Sequence, residues 1–495
     1  MTTKIDLNKI FLIFLGLLTV LLAYVIYPDF IGDDTFIHIG FIKDLCAGKG
    51  YSFAGTKTYG TTSPLWVLLG TFVSKVFASP EISVRFMSAV FTLTTVYMLY
   101  FLLIKINIDS KIVYAGVLSL IFNPFFLRWA LTGMEVTLAM SLLLLVYYLF
   151  VINEKPGLIN WGGIVIGLGV LVRPEFLGFL IILFGYLLVV KSGNRKKYII
   201  PFLLAIIMIL AWLIFSYYYF GTIIPNTYLA KAGNDLVSFQ FEFLTRTLKL
   251  FTAGNFPEFI LILIIALLAL YVFIKRGNNF KFIRFLTETL LKYKLVLPLL
   301  WIAGFYIFYI LKDVIIISRY SLILVPFIIL ISISVLNEIK KYLNITLFRF
   351  VIILYVSATL VVFCLMTFFV VKPASDDFVY GFQQSYKDIA LIIKEDSSGR
   401  EKSIALTDVG MIGCYSGARI YDFIGLVDRS RFEYKNNRDY LISKRADYLV
   451  LREEYDLEDI LPQNVRTEIL YQKNIGGFGI NESNRRTVTL YKLYW

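Results

Sequence analysis

Two adjacent carboxylates, Asp33 and Asp34, follow closely on the first hydrophobic run, in the stretch Pro28-Asp29-Phe30-Ile31-Gly32-Asp33-Asp34-Thr35-Phe36-Ile37-His38. Like charges beside a bilayer surface repel each other and lose hydration, so such a pair calls for a proton, a cation or a substrate. A carboxylate in a partly dehydrated site can take the proton of an attacking hydroxyl. Neighbouring side chains do not both enter one small site. Either one carboxylate transfers the proton and the other orients it, or both hold a hard divalent cation such as Mg or Mn through oxygen. A solvated helix cap is the plain structural alternative. His38 stands four residues after Asp34 and shares its face if the segment is helical; an ordinary polar residue of an interfacial helix would look the same.

A second set of polar residues stands at helix ends that the topology below turns to the same side. Arg128-Trp129 closes one apolar run, and Glu135 opens the next in Thr132-Gly133-Met134-Glu135. Arg173-Pro174-Glu175 joins two short runs, Lys231 lies in a long loop, and Ser318-Arg319-Tyr320 opens a late run. Each alone reads as an interfacial anchor with a snorkelling side chain. Together they gather cations and two further acids beside the aspartate pair. That set suits an anionic lipid headgroup, because arginine forks a phosphate with two bonds and lysine adds a point charge.

The elements that position these residues are membrane spans. Of 495 residues, 58% are hydrophobic and 17% charged, with mean hydropathy +0.74, well beyond soluble-domain averages. Apolar runs near 9–28, 82–104, 112–130, 134–152, 159–172, 174–190, 198–219, 257–274, 295–311, 315–336 and 348–371 give about eleven spans of an α-helical polytopic membrane protein. No small-x-small cleavage site follows the first run, so it reads as a retained helix. Basic clusters fall in alternate connections, among them Lys191 to Lys197, Lys275 to Lys294 and Lys340 to Arg349. The positive-inside rule then puts the amino terminus in the cytoplasm and the carboxy terminus outside. The net charge of +13 is accounted for by these loops and by anionic lipid, with no nucleic-acid partner. A single histidine excludes a multi-His metal site, and Cys46, Cys364 and Cys414 lack the spacing of a zinc site or a disulfide framework.

Residues 1–371 thus form a membrane module whose first outer loop, 29–81, carries the aspartates. The apolar stretch 62–78 is short for a span and reads as a helix lying in the outer interface. After Val371 the composition changes. Residues 376–495 alternate strand-like runs (403–407, 419–423, 448–451, 487–491) with helical patterns near 383–394 and 439–446, which predicts a small extracytoplasmic α/β domain. Asn-Glu-Ser at 481–483 fits a glycosylation sequon.

Taken in order, these residues resemble the GT-C integral-membrane glycosyltransferases. Gly32-Asp33-Asp34 follows the first span, and Leu45-Cys46-Ala47-Gly48-Lys49-Gly50 is similar to the family's leu-x-x-gly-x-gly turn. Thr62-Ser63-Pro64-Leu65-Trp66, Thr132-Gly133-Met134-Glu135, Arg173-Pro174-Glu175, Ile224-Pro225-Asn226-Thr227 and Arg319-Tyr320 with Pro326 continue the match. Asp408-Val409-Gly410-Met411-Ile412-Gly413 and Asp422-Phe423-Ile424-Gly425-Leu426-Val427-Asp428 resemble the arabinofuranosyltransferase-like branch.

The resemblance implies a polyprenyl-phosphate-sugar donor and a glycan, lipid or protein acceptor. It implies Asp34 or Asp33 as the base, Asp34 being favoured, in an inverting displacement on the extracytoplasmic side. Arg319 is the first candidate for the lipid phosphate; Arg173 and Lys231 follow, and Glu135, Arg128 and His38 complete the expected substrate-binding set. Where many relatives carry arginine or tyrosine, this chain has His38. A transporter or lipid flippase is the alternative, and it predicts inverted repeats and charges at mid-membrane depth. A non-catalytic membrane anchor would leave the outward charges without a purpose.

Overall fold

The computed structural model describes residues 7–153, 155–190, 192–231, 245–249, 255–276, 282–312, 318–396, 401–478 and 485–495. The 481–483 sequon and most of the loop beyond Lys231 lie outside them. Among the described residues five helices are long and apolar enough to cross a membrane: Pro80–Lys105, Arg195–Phe220, Phe256–Lys275, Ser318–Tyr342 and the start of Ile345–Glu395. Phe282–Lys292 and Val296–Leu311 form an apolar pair bent by 102°, the shape of a broken span or a re-entrant loop. Shorter apolar helices cover Ile10–Ile26, Ser110–Ile121, Val136–Ile152, Gly157–Val172 and Glu175–Val190. Many of their large apolar side chains, such as Ile181, Ile207 and Ile353, are exposed, which in a multi-pass membrane protein is the lipid-facing surface.

Two expected spans differ in detail. The 112–130 run is broken at Asn123-Pro124 into Ser110–Ile121 and Pro124–Trp129. Pro124 has no N–H to continue the ladder, and the Asn123 side chain caps the new helix by accepting from Phe126 N at 2.8 Å. This turn aims Trp129 at the site. The last span does not end at 371 either. Its helix continues through π-helical turns at Thr367–Val371 and Phe378–Gln383 to Glu395. The wider turns absorb Pro373 without a break.

The connection 29–81 contains two helices, Asp33–Cys46 and Pro64–Phe77. Leu68, Phe72 and Val76 form an exposed stripe at four-residue spacing on the second, while Trp66, Val67 and Gly70 are buried. That one-sided pattern is what an interfacial helix needs.

The carboxy-terminal domain is a five-stranded sheet in the order Arg419–Asp422, Ser403–Leu406, Tyr448–Arg452, Arg486–Tyr494, Arg466–Ile475. The first three strands are parallel and the last two antiparallel. Its short helix Val409–Tyr415 packs across the Asp33–Cys46 helix. The approach is close because Gly410 and Gly413 carry no Cβ: one at Gly410 would run into the Asp33 main chain, and one at Gly413 into the Phe53 ring. Lys43 Nζ donates to Cys414 O at 3.0 Å, and Tyr415 OH donates to Glu81 at 3.0 Å.

Candidate active site

The Asp33–Cys46 helix starts after Gly32, whose extended backbone turns the chain out of the first span. Both aspartates fall in the first turn, where the helix dipole favours negative charge. Their side chains then part. Asp34 turns inward and forms an ion pair with Arg319 Nη2, 285 residues further along the chain. Arg319 is 8% exposed and also donates to Tyr320 OH at 3.3 Å. Its guanidinium lies over the Tyr320 and Trp129 rings, at 5.2 and 5.9 Å. Trp129 is fixed by donating Nε1–H to Ser318 Oγ at 2.9 Å. Among the described residues only Nη2 of Arg319 is bonded, so Nε and Nη1 are left for an anion.

Behind this pair lies a buried carboxylate–guanidinium network. Arg173 donates from Nη1 to Glu135 Oε1 at 3.2 Å, and from Nη2 and Nε to the two oxygens of Glu175 at 2.7 and 3.3 Å. Tyr309 OH donates to Glu175 Oε1 at 3.0 Å. Tyr320 links the two guanidinium groups, since Arg173 lies 5.3 Å from the same ring that Arg319 covers. Arg173 and Glu135 are each at most 6% exposed at the side chain. Buried charges persist only when paired in this way.

Glu135 is held by an unusual turn. The carbonyls of Thr132, Gly133 and Met134 accept from Thr35 Oγ1 at 3.0 Å, Trp66 Nε1 at 2.9 Å and Ser88 Oγ at 3.2 Å. Gly133 has φ +81°, a left-handed conformation that glycine adopts without a Cβ penalty. The Thr35 bond ties this turn to the residue next to Asp34.

His38 is 6% exposed and lies within electrostatic reach of Glu135, Asp34, Arg319 and Arg173. Burial holds its imidazole below the usual range, so the ring is neutral at pH 7. Its Nδ1 is buried with no hydrogen-bond partner among the described residues, and so is Glu135 Oε2.

Asp33 faces the carboxy-terminal domain instead. Its Oδ1 accepts from Met411 N at 3.2 Å. Burial, followed by the nearby carboxylates of Asp408 and Asp34, pushes its pKa up to about 8. Asp408 in turn accepts from Tyr386 OH at 2.7 Å and lies 3.6 Å from Arg452 Nε. Asp33 and Asp34 therefore serve different partners. Among the described residues no three His, Cys, Asp or Glu side chains gather as a metal site would need.

Of the expected substrate-binding residues, Arg319, Arg173, Glu135 and His38 come together around Asp34. Arg128 is stacked 4.3 Å over Phe30 and lies 5.6 Å from the Trp129 ring, which Arg319 approaches at 5.9 Å. Lys231 closes the helix Asn226–Lys231, but its side chain lies outside the described residues. Sequence reasoning did not reach Tyr309 or Asp408 as members of this neighbourhood. Tyr309 is one aromatic among many in an apolar helix, and Asp408 meets Asp33 only through tertiary docking.

Residues 61–218 match the family model described as dolichyl-phosphate-mannose-protein mannosyltransferase. Residues 378–491 match one described as a domain of unknown function, DUF8728. No curated protein matches the sequence significantly. Among solved structures, the fold is similar to that of ArnT from Cupriavidus metallidurans bound to undecaprenyl phosphate. The two share 11% identity at TM-score 0.60, over 97% of this chain and 98% of that one. The apo state of the same protein matches at TM-score 0.59 and 10% identity, over 98% of each chain. An Archaeoglobus fulgidus oligosaccharyltransferase tethered to an acceptor peptide matches at TM-score 0.57 and 13% identity, over 90% of this chain and 69% of that one. The segment that matches the mannosyltransferase family model, residues 61–218, thus lies within a fold that is similar over nearly the whole chain to that of ArnT.

Proposed function

We propose that the protein transfers a sugar from a polyprenyl-phosphate donor to an acceptor hydroxyl on the extracytoplasmic face, with inversion at the anomeric carbon. The observation that carries this reading is the Asp34–Arg319 pair: a carboxylate that is 32% exposed at its side chain, touching an arginine whose Nε and Nη1 have no hydrogen-bond partner among the described residues. The acceptor oxygen forms its bond to the anomeric carbon while its proton passes to the Asp34 carboxylate. The bond from that carbon to the phosphate oxygen breaks, and its electron pair leaves on the polyprenyl phosphate. Arg319 meets the charge that develops there, through a fork suited to phosphate oxygens. The Arg319 guanidinium holds the Asp34 carboxylate in place beside the acceptor's approach. Asp33, with its pKa near 8, is mostly protonated at neutral pH and is the poorer base.

Arg173 has its bonds on Glu135 and Glu175, which suits a positioning residue better than a phosphate ligand. Arg128, beside the Trp129 ring, and Lys231 are the further cations for the lipid phosphate. The amino terminus and the basic loops lie in the cytoplasm, and the active site and carboxy-terminal domain outside. The 408–413 and 422–428 motifs favour the arabinofuranosyltransferase-like branch. The reading is tested by incubating the purified protein with undecaprenyl-phosphate-linked mannose, glucose and arabinofuranose, with and without Mg or Mn. Release of lipid phosphate supports it, and its absence across the panel overturns it.

A further inference from the structure

The Asp34–Arg319 pair accounts for the acceptor proton and the donor phosphate, but it leaves two buried polar atoms without work. His38 Nδ1 and Glu135 Oε2 have no hydrogen-bond partner among the described residues, and both residues are more than nine-tenths buried. A buried polar atom without a partner costs about 1–3 kcal/mol, so two of them beside a binding site point to a ligand that completes them. They come from different elements and lie within electrostatic reach of each other. His38 stands one helical turn after Asp34 on the same helix. Glu135 is presented by the turn whose three carbonyls are clamped by Thr35, Trp66 and Ser88. Its other oxygen is occupied by Arg173, which leaves Oε2 facing away from that guanidinium.

We infer that His38 and Glu135 form the hydroxyl-recognising wall of the site and set which sugar the enzyme accepts. This rests on the glycosyltransfer reading above and assigns the sugar's place within it. The chemistry fits a neutral polyhydroxyl ligand. An imidazole nitrogen and a carboxylate oxygen each receive a hydroxyl hydrogen, and neither suits the phosphate, which the carboxylate would repel. They also stand near the phosphate arginine: the Tyr320 ring is shared by Arg319 and by Arg173, the partner of Glu135. A wall built of fixed acceptors discriminates strongly, because a sugar lacking the matching hydroxyl leaves the acceptor unpaired.

The test uses the purified full chain in lipid nanodiscs, with the best donor from the panel above and its monodeoxy analogues. Wild type should lose about 10- to 150-fold in kcat/KM for at least one deoxy sugar, the range for a hydrogen bond to a charged or buried group. That penalty should shrink to a few-fold at most in Glu135→Gln or in His38→Ala. Undecaprenyl phosphate without sugar should bind wild type and His38→Ala alike. The inference is overturned if no deoxy sugar is penalised, or if the penalty persists unchanged in the variants. Should Glu135→Gln not fold, because it weakens the Arg173 pair, the His38→Ala and His38→Asn arms carry the same comparison. Absence of any transfer by wild type would overturn the glycosyltransfer reading itself, an outcome distinct from equal penalties in active variants.

Discussion

Asp34 and Arg319 are 285 residues apart in sequence and form an ion pair between the first outer loop and the start of a late span. Neither element could hold its charge there alone, because both side chains leave water at least in part. In the proposed mechanism the pair couples the proton acceptor to the phosphate-facing cation. Arg319→Lys keeps the charge but loses the planar fork. It should lower kcat/KM with a polyprenyl-phosphate sugar by about 10- to 100-fold, with a clear share of the loss in kcat, while the protein still folds. Steady-state kinetics of the purified variant check this.

Asp33 offers a contrast that can be read by pH. Its folded-state pKa is raised from 3.8 to about 8, so the folded protein holds a proton that the unfolded chain has released. Stability from this group is full below pH 4 and falls as pH rises towards 8. The groups facing Asp33 are Asp408 and Asp34, with Tyr386 and Arg452 beside Asp408. Asp33→Asn should flatten this part of the pH–stability curve and keep most of the transfer activity. Thermal unfolding between pH 5 and pH 9 measures the first, and the transfer assay the second.

The docking of the carboxy-terminal domain depends on two glycines. Gly410→Val has no room against the Asp33 main chain, nor Gly413→Val against Phe53. Either substitution should separate Val409–Tyr415 from the outer loop. Faster proteolysis of the outer domain and at least a several-fold loss of activity are expected, since such overpacking costs about 1–3 kcal/mol. Unchanged cleavage would show that the domain is held elsewhere.

Tyr309 acts at one remove. Its hydroxyl donates to Glu175, which shares Arg173 with Glu135. Tyr309→Phe removes a bond to a charged group, a cost of about 1.5–3 kcal/mol in stability. It should reduce kcat modestly and leave the pH profile of transfer in place, because no group that moves a proton has been altered.

Much of this was legible in the residues. The apolar runs marked the long apolar helices, and Asp34, Arg319, Glu135 and Arg173, expected at one set of helix ends, do come together. The short apolar stretch 62–78 does form a helix, Pro64–Phe77. What escaped was set by distance rather than by pattern. Asp33 and Met411 are 378 residues apart, and no local period encodes their contact. Strand Arg466–Ile475 was missed because, on the sheet edge, most of its residues are at least partly exposed, so it lacks the apolar alternation that reveals a half-buried strand. The unbroken helix from Ile345 to Glu395 was concealed by Lys372-Pro373 and the acids after it, which read as a linker.

The central claim is that Asp34 takes the acceptor proton. Asparagine at this position keeps the size of the side chain but has negligible basicity, and general-base catalysis contributes about 10²- to 10⁴-fold. The direct measurement is the single-turnover transfer rate of Asp34→Asn, beside Asp33→Asn, with a saturating polyprenyl-phosphate sugar and acceptor. A loss of at least about 10²-fold in Asp34→Asn, with donor still bound and Asp33→Asn close to wild type, is the predicted result. Transfer by folded Asp34→Asn at the wild-type rate would contradict it.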